Sequence, residues 1–198
     1  MIRVALFAAS VLALAWVSRR PLREPDSHGF PRFFAWVAIV ALLLLNFRGI
    51  GAWFADPLSP RQIASWTLLF GSLFFLVPAV ALLRSRGRLG SPGSPGPAGG
   101  AAAAGREGEP LYAFERTSAL VTTGVYRYVR HPMYASLLWL AWGVFFKRPT
   151  AVGAGLAAAA TAFLWLTARA EEAEDIAFFG DAYREYMRRT RCFVPWVL

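Results

Sequence analysis

One cysteine (Cys192), one lysine (Lys147) and two histidines (His28 and His131) stand in a chain of 198 residues. A single thiol cannot form a disulfide within the chain, and so small a supply of Cys and His lacks the ligand spacing of a structural zinc site, so no metal is expected. Charge is scarce too. Only 17% of residues are Asp, Glu, Lys or Arg, too few for a surface that faces water all round. There is no βαβ pattern, no glycine-rich phosphate loop and no His-Glu-x-x-His, which excludes a soluble dinucleotide-binding domain and a zinc protease of that type. Ser118, Ser136 and the two histidines form no recognisable nucleophile–base pairing.

What fills the chain instead is apolar. Hydrophobic residues make up 57% of it, against about 45–50% in an ordinary soluble domain, and the mean hydropathy is +0.43. The excess lies in runs. Five segments, Val4–Val17, Phe33–Phe54 (interrupted by Arg48), Ile63–Leu83, Met133–Phe146 and Ala151–Ala168, approach the roughly 20 apolar residues that cross a bilayer as a helix. The first and fourth are short and suit a tilted or locally thinned setting. Lys147-Arg148-Pro149-Thr150 is brief enough to make the last two an antiparallel hairpin. The expected architecture is an all-α polytopic membrane protein with about five transmembrane helices.

The net charge is +9, but the basic residues lie beside the apolar runs rather than along one soluble face, so the lipid bilayer, not nucleic acid, is the expected partner. If all five segments span, one side of the membrane holds 16 basic residues and the other holds 5. The richer side is cytoplasmic by the positive-inside rule, which puts the N-terminus outside and the C-terminus inside. The first segment also has the look of a secretory signal, with Ala13-Leu14-Ala15 as a small-residue cleavage site. Cleavage would leave four arginines in a translocated loop, and this favours an uncleaved span. The alanine-rich, arginine-dominated composition points to a bacterial inner membrane.

Composition divides the chain into three spans over 1–83, a Gly/Pro/Ala-rich cytoplasmic linker over 84–110 and a region over 111–198 dense in aromatic and charged residues. Candidate chemistry falls in the last. In Leu120–Tyr134, Pro132 sits where the fourth apolar run begins, a position where a helix tolerates a missing N–H, with His131 and Tyr134 beside it. Gly124 marks a close approach or a positive-φ turn. After the fifth run come Glu171, Glu172, Glu174 and Asp175. Acids at a helix C-terminus oppose its macrodipole, so local stability does not explain them, and at a membrane edge Glu171 and Glu172 are candidates for function. From Ile176 to Arg191 the spacing of Ile176, Phe179, Tyr183, Tyr186 and Met187 predicts an amphipathic interfacial helix.

Taken together, Leu-Val-Thr-x-Gly-Val-Tyr, Arg-His-Pro-x-Tyr, Glu-Glu, Phe-Phe-Gly-x-x-Tyr-x-x-Tyr and the closing Pro195 resemble the isoprenylcysteine carboxyl methyltransferase family. That family groups with the phospholipid N-methyltransferases. The resemblance covers about Leu111 to Trp196. It implies an integral membrane enzyme that uses S-adenosyl-L-methionine and an amphipathic or lipidic small-molecule acceptor. The cofactor contacts it implies fall at Ser118, Ala119, Leu120, Val121, Tyr126, His131, Pro132, Met133, Tyr134 and Glu171. The family's acceptor-side Arg, four residues before its cofactor-binding Glu, is Thr167 here. Arg169 is a substitute for it, and Glu172 is a further catalytic candidate. Two other readings stand beside this one. Sterol-reductase-like NADPH enzymes share a similar Arg-His-Pro-x-Tyr element, and a non-catalytic sensor or scaffold could retain the pocket.

Overall fold

The long apolar runs become helices because a backbone in or against lipid must satisfy its own hydrogen bonds. The computed structural model describes residues 2–86 and 120–194. Among these are six α-helices: α1 (Ile2–Val17), α2 (Gly29–Asn46), α3 (Pro60–Arg86), α4 (Pro132–Lys147), α5 (Ala151–Phe179) and α6 (Asp181–Arg189). Short 3₁₀ turns cover Pro21–Arg23, Phe47–Trp53 and Gly124–Arg127. There is no β-strand among the described residues, only an isolated parallel bridge between Val129 and Arg191. The chain is an all-α membrane protein. Helices α2, α5 and the Pro60–Ser85 part of α3 are long and apolar enough to cross a bilayer, while α1 and α4 have 16 residues each. Most of the 84–110 linker, and Ser118, Ala119, Pro195 and Trp196, lie outside the described residues.

Three boundaries differ from the sequence reading, each for a physical reason. The second apolar run does not stay α-helical to Phe54: α2 ends at Asn46, and Gly49 departs from helical geometry within the 3₁₀ turn that follows. Helix α5 does not end at Ala168. It continues unbroken to Phe179, so the acids are interior helical residues and do not oppose a C-terminal dipole. The expected single helix from Ile176 to Arg191 is broken at Gly180, whose φ of 61° is open to glycine and costly for other residues. The amphipathic helix is the shorter α6.

The chain divides into two compact units. Unit 1 comprises residues 1–74 and 136–167. Its core is built from Ala38, Ile39 and Leu42 of α2, Ala141 and Val144 of α4, and Ala157 and Ala160 of α5. Small residues on α4 and α5 let helix backbones approach closely, the usual basis of packing where lipid supplies no hydrophobic contrast. Two hydrogen bonds add direction: Ser65 Oγ donates to the Gly143 carbonyl at 2.7 Å, and Trp142 Nε1 donates to Thr161 Oγ1 at 3.1 Å. Lys147, at the end of α4, is fully buried. Its Nζ lies 3.4 Å from the centre of the Trp66 ring and donates to Gln62 Oε1 at 2.9 Å.

Unit 2 comprises residues 75–135 and 168–198, described here as far as Val194. Phe179, Tyr183 and Tyr186 form its aromatic core, with Leu120, Ile176, Phe178 and Met187 packed around them. The turn at Gly124 has φ 62°, and a Cβ added there would lie 2.6 Å from Leu82 Cδ1. Both a positive φ and a close approach therefore demand glycine. All the residues that carry chemistry in the motif stretches described here fall in this unit.

Candidate functional site

The site begins with a backbone device. After α6 the chain turns back and runs beside the segment preceding α4. Arg191 N–H donates to the Tyr128 carbonyl at 3.1 Å, Arg130 N–H to the Arg191 carbonyl at 2.7 Å and His131 N–H to the Cys192 carbonyl at 3.1 Å. Thr190 Oγ1 donates to the Tyr186 carbonyl, and Tyr186 Oη to the Tyr126 carbonyl, each at 2.7 Å. Arg130 and His131 are thereby placed by main-chain bonds, and Pro132, buried, opens α4 directly afterwards.

Helix α5 brings the acids to this point. His131 is 6% exposed and Glu172 3%. His131 Nδ1 lies 3.6 Å from Glu171 Oε2, and Nε2 lies 3.5 Å from Glu172 Oε1. One imidazole thus stands between two consecutive carboxylates. Glu172 has stronger partners: Arg130 Nε donates to its Oε1 at 2.7 Å, and Arg169 Nη1 approaches Oε2 at 3.8 Å. The Glu171 side chain is about a quarter exposed and has no comparable ion-pair partner among the described residues. The ring of Tyr134 stacks on His131 with centroids 5.5 Å apart, and the Phe193 ring tilts against the same imidazole with centroids 6.3 Å apart.

Among the residues expected to matter, the fold gathers His131, Tyr134, Glu171, Glu172 and Arg169, with Pro132 and half-buried Met133 adjoining them. Leu120 and Tyr126 lie with α6 in the aromatic core or against it, and Val121 is half-buried. Sequence reasoning gave no site role to Arg130, Thr190, Cys192 or Phe193, reading Phe193 only as part of an interfacial cap. Arg130 had a signal, since it immediately precedes His131 in the motif. The other three had none.

His131, Glu172 and Cys192 offer ligand atoms within 4.8 Å of one another, spacing a metal could use. The electrostatics oppose it. Both Glu172 oxygens face guanidinium groups, and burial, followed by the charge of Glu172, pushes the Cys192 thiol up to about 12. A metal wants a thiolate and an unclaimed carboxylate.

An organic ligand suits the site better. Two buried atoms, Glu171 Oε2 and His131 Nε2, have no hydrogen-bond partner among the described residues; the first lies 3.6 Å from His131 Nδ1 and the second 3.5 Å from Glu172 Oε1, both longer than a good hydrogen bond. Buried polar atoms are ordinarily satisfied. This pair supplies one anionic acceptor and one imidazole nitrogen, beside the first turn of a helix whose N–H groups favour a carboxylate.

Fold and site therefore define an all-α membrane protein with a compact acid–imidazole cluster in its C-terminal half. Residues 101–181 match the family model described as phospholipid methyltransferase. The chain is 33% identical over 72 residues to methanethiol S-methyltransferase 1 of Bradyrhizobium diazoefficiens, covering 36% of this chain and 25% of that protein. It is 36% identical over 87 residues to protein-S-isoprenylcysteine O-methyltransferase of Homo sapiens, covering 41% of this chain and 29% of that protein. The matched stretch thus spans under a third of each curated relative. No solved structure matches the chain. These matches bear out the resemblance to the isoprenylcysteine carboxyl methyltransferase and phospholipid methyltransferase group that the motifs carry.

Proposed function

We propose that this protein is an integral membrane methyltransferase that uses S-adenosyl-L-methionine and acts on a lipidic or amphipathic acceptor at the cytoplasmic face of the membrane. The observation that carries the reading is the pair of unsatisfied buried atoms, Glu171 Oε2 and His131 Nε2, at the start of α4. When bound, S-adenosyl-L-methionine supplies an electrophilic methyl group on a sulfonium, together with an amino acid head and a ribose. Glu171 accepts hydrogen bonds from the ammonium or a hydroxyl. His131 and the first N–H groups of α4 face the carboxylate, a charge-assisted pairing stronger than a neutral one. Tyr134, stacked on His131, presents an aromatic face to a cation. Methyl transfer is an in-line displacement that asks for alignment and exclusion of water more than for acid–base groups. Arg169, with an exposed side chain, is the residue on the acceptor side. The charge distribution of the loops supports a cytoplasmic site.

The test is calorimetric titration of detergent-purified protein with S-adenosylhomocysteine, and with NADPH in parallel. The expected result is saturable binding of S-adenosylhomocysteine, weakened at least tenfold by Glu171→Ala and by His131→Ala in variants that still insert and fold. NADPH binding alone would replace this reading with a reductase.

A further inference from the structure

The Arg-His-Pro stretch contains one permanently charged residue, Arg130, whose contacts differ in kind from those of His131. Arg130 is held at its backbone by Arg191 and reaches three acceptors with one guanidinium. Nε donates to Glu172 Oε1 at 2.7 Å, while Nη1 donates to the carbonyl of Met187 at 3.3 Å and to that of Thr190. Met187 lies in the last turn of α6 and Thr190 is its C-cap, where helix carbonyls lack intrahelical partners and a positive group is favoured by the dipole. The Arg130 side chain is 11% exposed and that of Glu172 4%. A carboxylate buried to that degree needs a matched cation, and one that is already paired is not free to receive a ligand.

Resting on the methyltransferase reading, we propose that Arg130 is a positioning residue: its guanidinium locks Glu172 to the C-terminal end of α6 and so leaves Glu171 as the carboxylate that takes the ligand. The two acids are adjacent in sequence, identical in chemistry and both beside His131. Arg130 separates their roles. Glu172 thereby serves as a buried anchor between α5 and α6. Glu171 keeps an unsatisfied oxygen. The planar fork is what lets one side chain hold a carboxylate and two carbonyls at fixed angles. Lysine, a point charge on a flexible stem, can keep the charge but not the three directions.

The full chain in detergent is titrated with S-adenosylhomocysteine, and each variant is also followed by its thermal transition and by tryptic cleavage at Arg188, Arg189 and Arg191. Arg130→Lys is expected to unfold within a few degrees of the parent, bind at least tenfold more weakly and be cut in the tail at least tenfold faster. Arg130→Ala and Glu172→Gln should each weaken binding at least tenfold, and the double variant no more than the worse single one. A purely structural Arg130 would show Arg130→Lys restoring affinity in step with thermal stability, and that result overturns the proposal, as does a double variant whose loss is the product of the single losses. If the parent fails to bind S-adenosylhomocysteine, the methyltransferase reading falls. The tail-cleavage ratio of Arg130→Lys still decides whether the fork locks α6, and an unchanged ratio overturns that as well.

Discussion

The phenol of Tyr186 donates a hydrogen bond to the main-chain carbonyl of Tyr126 at 2.7 Å, joining positions 60 residues apart in the sequence. Both residues are buried, and burial holds the Tyr186 phenol protonated well above its ordinary range, so the donor persists across all workable pH. Tyr186→Phe removes the donor and leaves a buried carbonyl without it. The expected cost is about 1–2 kcal/mol, read as a lower thermal transition in detergent. An unchanged transition would mean that this bond does not hold α6 to the motif segment.

Lys147 sets up a contest between desolvation and pairing. Its ammonium is buried against Trp66, with Gln62 Oε1 as a hydrogen-bond acceptor. A desolvated cation–π contact contributes about 2 kcal/mol, and removing it strands a buried charge. Trp66→Leu should therefore destabilise the protein more than Lys147→Met does. In the Lys147→Met background, Trp66→Leu should cost at least about 1 kcal/mol less than in the parent. Additive losses in that double-mutant cycle would show that the ring acts only by packing.

Cys192 should be a sluggish thiol. Burial and the neighbouring Glu172 charge push it up to about 12, and the thiolate is the reactive form. At pH 8 the folded protein should react with iodoacetamide about a hundredfold more slowly than a free peptide thiol, accelerate as pH rises towards 12, and react at the ordinary rate once denatured. Ordinary reactivity in the folded state at pH 8 would contradict the environment described.

Much of the architecture is legible in the sequence because apolar run length reports directly on helices in lipid. The runs led to α1, α2, α3, α4 and α5. What they did not disclose was where each helix stops. Hydropathy falls at Ala168, but helical geometry does not require apolar residues, and α5 continues through its acids to Phe179. At Gly180 the periodicity of the aromatic residues carries on while the backbone turns, since a period describes which face a side chain occupies and not whether φ changes sign. In the site, His131, Glu171 and Glu172 stood out as ionisable residues beside apolar runs. The difference between Glu171 and Glu172 did not, because it depends on Arg130 and on carbonyls of a distant helix.

The pairing of Arg191 and Cys192 with the segment before α4 uses backbone N–H and carbonyl groups. Any amino acid except proline brings the same donor and acceptor to such a bond. Arg191 and Cys192 can therefore drift in identity while the grip on Arg130 and His131 persists. Loss of the segment itself is a different matter. A premature stop codon ahead of Thr190 would release both site residues at once, so this tail tolerates misspelling and not erasure.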